Sequence, residues 1–172
     1  MIDMGVQVIG GCCGTTPDHI KAVKELTLTK KFVKREIAPV SAVTSGQREV
    51  ILTSGTAIIG ERINHTGKPR LKEALRNLDF DYIVSEAVNQ QNAGADILDV
   101  NTGLPEINEP EVLKAVVKKL QSITPLPLQI DSSNAKAVED AVRVYCGKPI
   151  INSVNGKKES MAQIFPLVKK YG

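Results

Sequence analysis

Four polar clusters along the chain could do chemistry together: Glu61-Arg62-Ile63-Asn64, Asp99-Val100-Asn101, Asp131-Ser132-Ser133-Asn134 and Asn152-Ser153-Val154-Asn155. They are rich in carboxylates and carboxamides. A carboxylate accepts two hydrogen bonds side by side, and an asparagine offers a donor and an acceptor on one planar group. The combination suits a flat heterocycle whose edge carries a ring N–H beside an exocyclic amine, the edge of an aminopyrimidinone. A pocket built to bond such an edge rejects analogues that lack it, because its own polar groups would be left unpaired. Some of these residues also have a local reading. Asn134, and Ser133 with it, can serve as the N-cap of a helix, and Asp99 could pair with a loop cation instead of a ligand.

Each cluster closes a short apolar run: Ala57-Ile58-Ile59-Gly60, Ala95 to Val100, Leu126 to Ile130, and Pro149-Ile150-Ile151. A helical pattern follows each one: Leu71 to Ala93 with a break near Asn77 to Asp79, Glu109 to Ser122 entered through Pro110, Ala135 to Tyr145, and Lys158 to Tyr171. Strands alternating with helices of this length predict βαβ units on a parallel sheet. In a (β/α) barrel the carboxyl ends of the strands form the rim, so the four clusters would converge on one pocket. No Gly-x-Gly-x-x-Gly follows the first of these strands, which argues against a dinucleotide-binding sheet. The expected fold is α/β, a partial (β/α)8 TIM barrel made of its first four βα units, and the chain reads as a piece of something longer.

Upstream, Val6 to Gly11 is a β-branched run that stops at two glycines and reads as a strand. Thr16 then caps a helix from Asp18 to Leu26, with Pro17 at its first position. From residue 28 to 54 neither period holds, so the stretch is expected to be a linker with one short strand. A structureless run of that length argues for a domain boundary. The expected division is 1–27, 28–54 and 55–172.

Composition narrows the classes further. The 172 residues carry 22 Lys+Arg against 19 Asp+Glu, a net +3. That charge is small and scattered, and with no Trp, three Phe and three Tyr there are few platforms for stacking bases, so nucleic acid is not an expected partner. At 42% hydrophobic the chain is too apolar to stay unfolded, yet no apolar run reaches the roughly 18 residues of a membrane span. Residues 1–11 lack the basic and small-residue features of a secretory signal. Three cysteines make no disulfide framework, and the adjacent Cys12 and Cys13 are poorly placed to bridge each other. A reducing, cytoplasmic setting is expected. Cys146, at the end of a helical segment, reads as a buried structural cysteine.

The words formed by these residues carry more than the pattern does. Ile59-Gly60-Glu61-Arg62-Ile63-Asn64, Gly94 to Asn101, Leu128-Gln129-Ile130-Asp131-Ser132-Ser133 and Ile151-Asn152-Ser153-Val154-Asn155-Gly156 resemble the pterin-binding domain of the corrinoid methyltransferases, the cobalamin-dependent methionine synthase family above all. Ile9-Gly10-Gly11-Cys12-Cys13-Gly14-Thr15-Thr16-Pro17 resembles the last strand of that family's homocysteine-binding barrel. The motifs follow the family's own domain order over nearly the whole chain.

The resemblance implies two partial sites. Asp131, Asn152, Asp99, Asn101, Asn64 and Glu61 would lie at a pterin site for 5-methyltetrahydrofolate, Glu61 and Arg62 holding the rim more than touching ligand. Cys12 and Cys13 would be two of three zinc-ligating thiolates, the third lying upstream in the family. Zinc there would hold homocysteine as a thiolate, and cobalamin would bind a separate module. The family residue nearest the pterin N5 comes from a later strand, so this chain alone is expected to be inactive. His65 stands where the family pattern has proline, so a looser loop with His65 facing solvent is expected. Two other readings remain open. One is dihydropteroate synthase-like chemistry on the same barrel, which leaves Gly10 to Pro17 unexplained. The other is a non-catalytic half-barrel whose open edges pair with the missing half or with a second copy.

Overall fold

The computed structural model describes residues 1–31, 33–36 and 38–171. The chain divides into two units, Met1–Pro39 and Val40–Gly172. In the first, a 3-10 turn at Ile2–Met4 precedes helix α1, Pro17–Leu28. Thr16 caps α1 as expected, its backbone N–H donating to His19 Nδ1 at 3.1 Å, with Pro17 in the first turn. Val6 to Gly11, by contrast, forms no strand, and Val8 is 88% exposed. The run has the composition of a strand, but a parallel strand exists only through its neighbours. No other strand is present among the described residues of this unit.

The second unit opens with an antiparallel hairpin, β1 (Ala42–Thr44) and β2 (Glu49–Ile51). Ser45 shapes its turn, with its Oγ accepting the N–H groups of Gln47 and Arg48 at 3.1 and 3.0 Å. The segment read from sequence as linker therefore contains two strands where one was expected. Three-residue strands are too short to display an alternation.

Four βα units complete the chain: β3 (Ile59–Asn64) with α2 (Pro69–Asn77) and α3 (Phe80–Asn92), β4 (Ile97–Asn101) with α4 (Glu109–Gln121), β5 (Leu128–Asp131) with α5 (Ala135–Val142), and β6 (Ile150–Asn152) with α6 (Lys158–Tyr171). All pairings are parallel, in the sequential order β3-β4-β5-β6, which is the winding of half a (β/α)8 barrel. The expected break between α2 and α3 falls at Leu78, in a left-handed conformation (φ 53°), followed by Asp79, which accepts the Tyr82 N–H at 3.1 Å as N-cap of α3.

Strand alternation sorts the two faces of this sheet. Leu98, Val100, Leu128 and Ile130 point to the helices and are fully buried against stripes such as Val112, Leu113, Val116, Val117 and Leu120 of α4. The opposite face carries Asp99, Asn101, Gln129 and Asp131. Among the described residues no helix is long and apolar enough to cross a membrane.

The hairpin fastens to the amino-terminal ends of the strands, away from the polar clusters. Thr44 and Lys148 exchange backbone hydrogen bonds at 2.9 and 3.1 Å, and Ser45 Oγ donates to the Pro125 carbonyl at 2.5 Å. The buried Tyr145 hydroxyl joins both sides, donating to the Thr44 carbonyl at 2.9 Å and accepting the Leu128 N–H at 3.1 Å. Burial pushes its phenol from 10.0 up to about 12. An unfolded chain releases this proton near 10.0 and the folded chain only near 12, so the stabilisation is complete below 10.0 and lost as pH rises through about 12. Tyr145→Phe is expected to lower stability by about 1–3 kcal/mol at neutral pH, because the Leu128 N–H loses its acceptor. It should also remove the alkaline decline between those two values. Urea unfolding of both chains at neutral and alkaline pH checks this.

Candidate functional site

The mouth of the sheet depends on an irregularity in β3. Ile59 and Gly60 pair with Ile97 and Leu98, and Ile63 and Asn64 pair with Val100 and Asn101, so Glu61 and Arg62 together oppose Asp99 alone. This is a β-bulge, which resets the phase of the strand and re-aims the residues beyond it. It turns Asn64 toward the two neighbouring strands and leaves Ile63 buried behind. The Arg62 N–H released from the ladder donates to Gln90 Oε1 at 2.7 Å. That amide sits so close to the strand that a Cβ on Gly60 would lie 2.5 Å from it, so any larger residue would have to displace the Gln90 side chain.

Three amides then hold two carboxylates. Asn64 Nδ2 donates to Asp99 Oδ2 at 3.0 Å and to Asp131 Oδ2 at 3.1 Å. Asn101 Nδ2 donates to the same Asp131 oxygen at 2.9 Å, and Gln129 Nε2 donates to Asp99 Oδ1 at 2.6 Å. The two asparagines are themselves oriented, Asn64 Oδ1 accepting the Thr66 N–H and Asn101 Oδ1 the Gly103 N–H. Lys68 ties the loop above β3, donating to the Glu61 and Asn64 carbonyls at 2.9 Å each.

Asp99 is only 2% exposed, with a protein donor on each oxygen. Asp131 differs, since its Oδ1 has no donor among the described residues. Beside it across the ladder stands Asn152, whose side chain is likewise unpaired among them. Glu61 is exposed at the rim. Ile59, Glu61, Asp99, Gln129, Asp131 and Asn152 line a cleft of about 210 Å³. Burial pushes the Asp131 carboxyl above its ordinary 3.8, with the negative charges of Asp99 and Glu61 adding to it, while the Asn101 hydrogen bond opposes the shift.

The structure thus brings together all six residues read from sequence as a pterin site. It adds Gln129, which in the sequence reads as an ordinary strand residue. The one available signal was its position two residues before Asp131, on the same strand face. Asn134 takes its local role, accepting the Lys136 and Ala137 N–H groups at the start of α5. Two expectations are corrected. His65 is not a freely solvent-facing residue: it is half-buried, its Nδ1 is closed off without a partner among the described residues, and Lys68 ties its loop. Cys146 is exposed, because α5 ends at Val142 and Tyr145 takes the buried place.

In the first unit Cys12 and Cys13 are exposed, their sulfurs 3.7 Å apart. Two thiolates on a tetrahedral zinc, each about 2.3 Å from it, lie about 3.8 Å apart, so the pair fits two corners of such a site. The backbone N–H of Cys13, and then its thiol, hold the Cys12 thiol below its usual range. No cluster of three or more metal-ligating side chains occurs among the described residues.

A polar cleft at the carboxyl ends of parallel strands is where a (β/α)8 enzyme binds its ligand. Residues 60–172 match the model of the pterin binding enzymes, and the chain belongs to that family. Its second unit is accordingly a partial (β/α)8 barrel. Residues 1–27 match a model described as homocysteine S-methyltransferase. The chain is 28% identical over 177 residues to the methionine synthase of Mycobacterium tuberculosis, and 28% over 182 residues to that of Mycobacterium leprae. Each alignment covers 99% of this chain but 15% of the relative.

Asn64→Leu tests the network while keeping the number and branching of side-chain heavy atoms. It leaves Asp99 and Asp131 without their shared donor, which is expected to cost about 1–3 kcal/mol at about pH 7. The loss should be smaller at an acid pH close to 3.8 than at about pH 7, because burial raises the Asp131 carboxyl above 3.8 and the proton it takes up removes the penalty on its charge. Urea midpoints at the two pH values check it.

Proposed function

We propose that this chain supplies the pterin-recognising part of a methionine synthase, a methyltransferase that takes the methyl group of 5-methyltetrahydrofolate by way of cobalamin to homocysteine. The observation that carries the reading is the unpaired Asp131 Oδ1 beside Asn152, on a carboxylate already oriented by two asparagines. A free carboxylate oxygen accepts from the ring N–H or exocyclic amine of the pterin, and Asn152 offers the adjacent donor and acceptor. Asn64, Asn101 and Asp99 hold this edge in place, and Glu61 closes the rim. N5 must gain positive character before a tetrahydropterin can leave its methyl group. None of the assigned residues supplies it. They bind and orient, so the chain by itself is expected to bind pterin without turning it over.

In the same reading residues 1–27 belong to a homocysteine-binding barrel, 28–54 connect, and 55–172 form the first half of the pterin barrel. Cys12 and Cys13 would hold two corners of a zinc site, and zinc bound there would lower the pKa of a substrate thiol. Cobalamin would occupy a separate module, and no residue here is assigned to it. The match of residues 1–27 to homocysteine S-methyltransferases supports this reading over a dihydropteroate synthase-like one. A cytoplasmic setting belongs to the same proposal.

Calorimetric titration of the 172-residue chain with 5-methyltetrahydrofolate tests it. Asp131→Ala should keep the fold and weaken binding by about 1–3 kcal/mol. Unchanged affinity would reduce Asp131 to a structural residue. Only the ionised carboxylate accepts on both oxygens, so the parent's affinity should fall as pH drops through the raised Asp131 pKa, above 3.8.

A further inference from the structure

Gln129 and Asp99 face each other directly across the β4–β5 ladder and point into the same mouth. Gln129 Nε2 lies 2.6 Å from Asp99 Oδ1. A carboxylate offers only acceptors, so the nitrogen end of the amide must face it. Turning the amide over would set oxygen against oxygen and break a charge-assisted hydrogen bond. Asp99 cannot swing away to allow this, because its other oxygen is held by Asn64 and the residue is 2% exposed. The carbonyl end of Gln129 is therefore fixed away from Asp99. It has no donor among the described residues, and Gln129 lines the cleft with Asp131 and Asn152.

We infer that Gln129 is a polarity-locked hydrogen-bond acceptor on the cleft floor, and that it selects reduced pterins over oxidised ones. This rests on the pterin reading above. A tetrahydropterin carries hydrogen on ring nitrogen N8, whereas the fully oxidised ring has only a lone pair there. An acceptor that cannot flip bonds the first and repels the second. A freely rotating glutamine would present either end and distinguish neither, so the selectivity originates in Asp99 and is expressed through Gln129.

The experiment titrates the parent chain, Gln129→Met and Gln129→Glu with tetrahydrofolate and with folic acid under anaerobic conditions, urea midpoints reporting the fold. The parent should favour the reduced ligand by on the order of tenfold. Gln129→Met, of similar length without the carbonyl, should bring the ratio close to one. Gln129→Glu should keep the preference at acid pH, where its carboxyl donates to Asp99 and shows its carbonyl to the cleft. It should lose the preference as pH rises and two carboxylates oppose each other. An unchanged ratio in Gln129→Met overturns the inference while leaving the pterin site standing. Should Gln129→Met fail to fold, a pH-independent ratio in Gln129→Glu overturns it equally. A parent chain that binds neither ligand overturns the pterin reading itself, and this inference with it.

Discussion

Two carboxylates at one barrel mouth, Asp99 and Asp131, repel each other and lose water on burial, and the site exists because a single asparagine amide donates to both. An unpaired buried charge is among the most expensive features a fold can carry. The surrounding arrangement answers that demand. The bulge at Glu61 and Arg62 brings Asn64 into phase, Gln90 stabilises the bulge, and Gly60 leaves room for Gln90. Asn101 and Gln129 supply the remaining donors. Asp131 Oδ1, the amide of Asn152 and the carbonyl of Gln129 stay unpaired among the described residues, and a ligand can use them.

The two ends of this sheet divide the work. Polar groups with spare hydrogen-bonding capacity gather at the carboxyl ends, while the amino-terminal ends are closed by a hairpin whose polar contacts are largely satisfied internally. The helices are packed against the apolar strand face, so the mouth can carry polar residues without depriving the core of Leu98, Val100, Leu128 and Ile130. A barrel keeps stability and chemistry on different faces for the same reason.

Much of this could be read from the chain before its structure. Alternating apolar runs and helical stripes are strong where an element has a buried side, so α4 and α6 fall within a residue of expectation. The polar residues at the strand ends also converge as barrel geometry requires. Features that depend on a partner elsewhere were not legible. Val6 to Gly11 has the residues of a strand and lacks a neighbouring strand among the described residues. The hairpin is too short to show a period, and Cys146 moved to the surface when Tyr145 took the interior. Gln129 was hidden for another reason: a neutral amide in mid-strand has no significance until the residue opposite it is known to be a carboxylate.

The hairpin clamp has a consequence for how the chain is made. Thr44 meets Tyr145 across 101 residues and Lys148 across 104. During synthesis β1 and β2 leave the ribosome able to pair with each other, long before the Tyr145 and Lys148 that they later meet. At about 5–20 residues per second, several seconds pass before Tyr145 and Lys148 are even polymerised. The hairpin cannot template the sheet. Its docking on Tyr145 and Lys148 must wait until the chain has been made past β5, although Arg48 in its turn can meet Asp96 earlier.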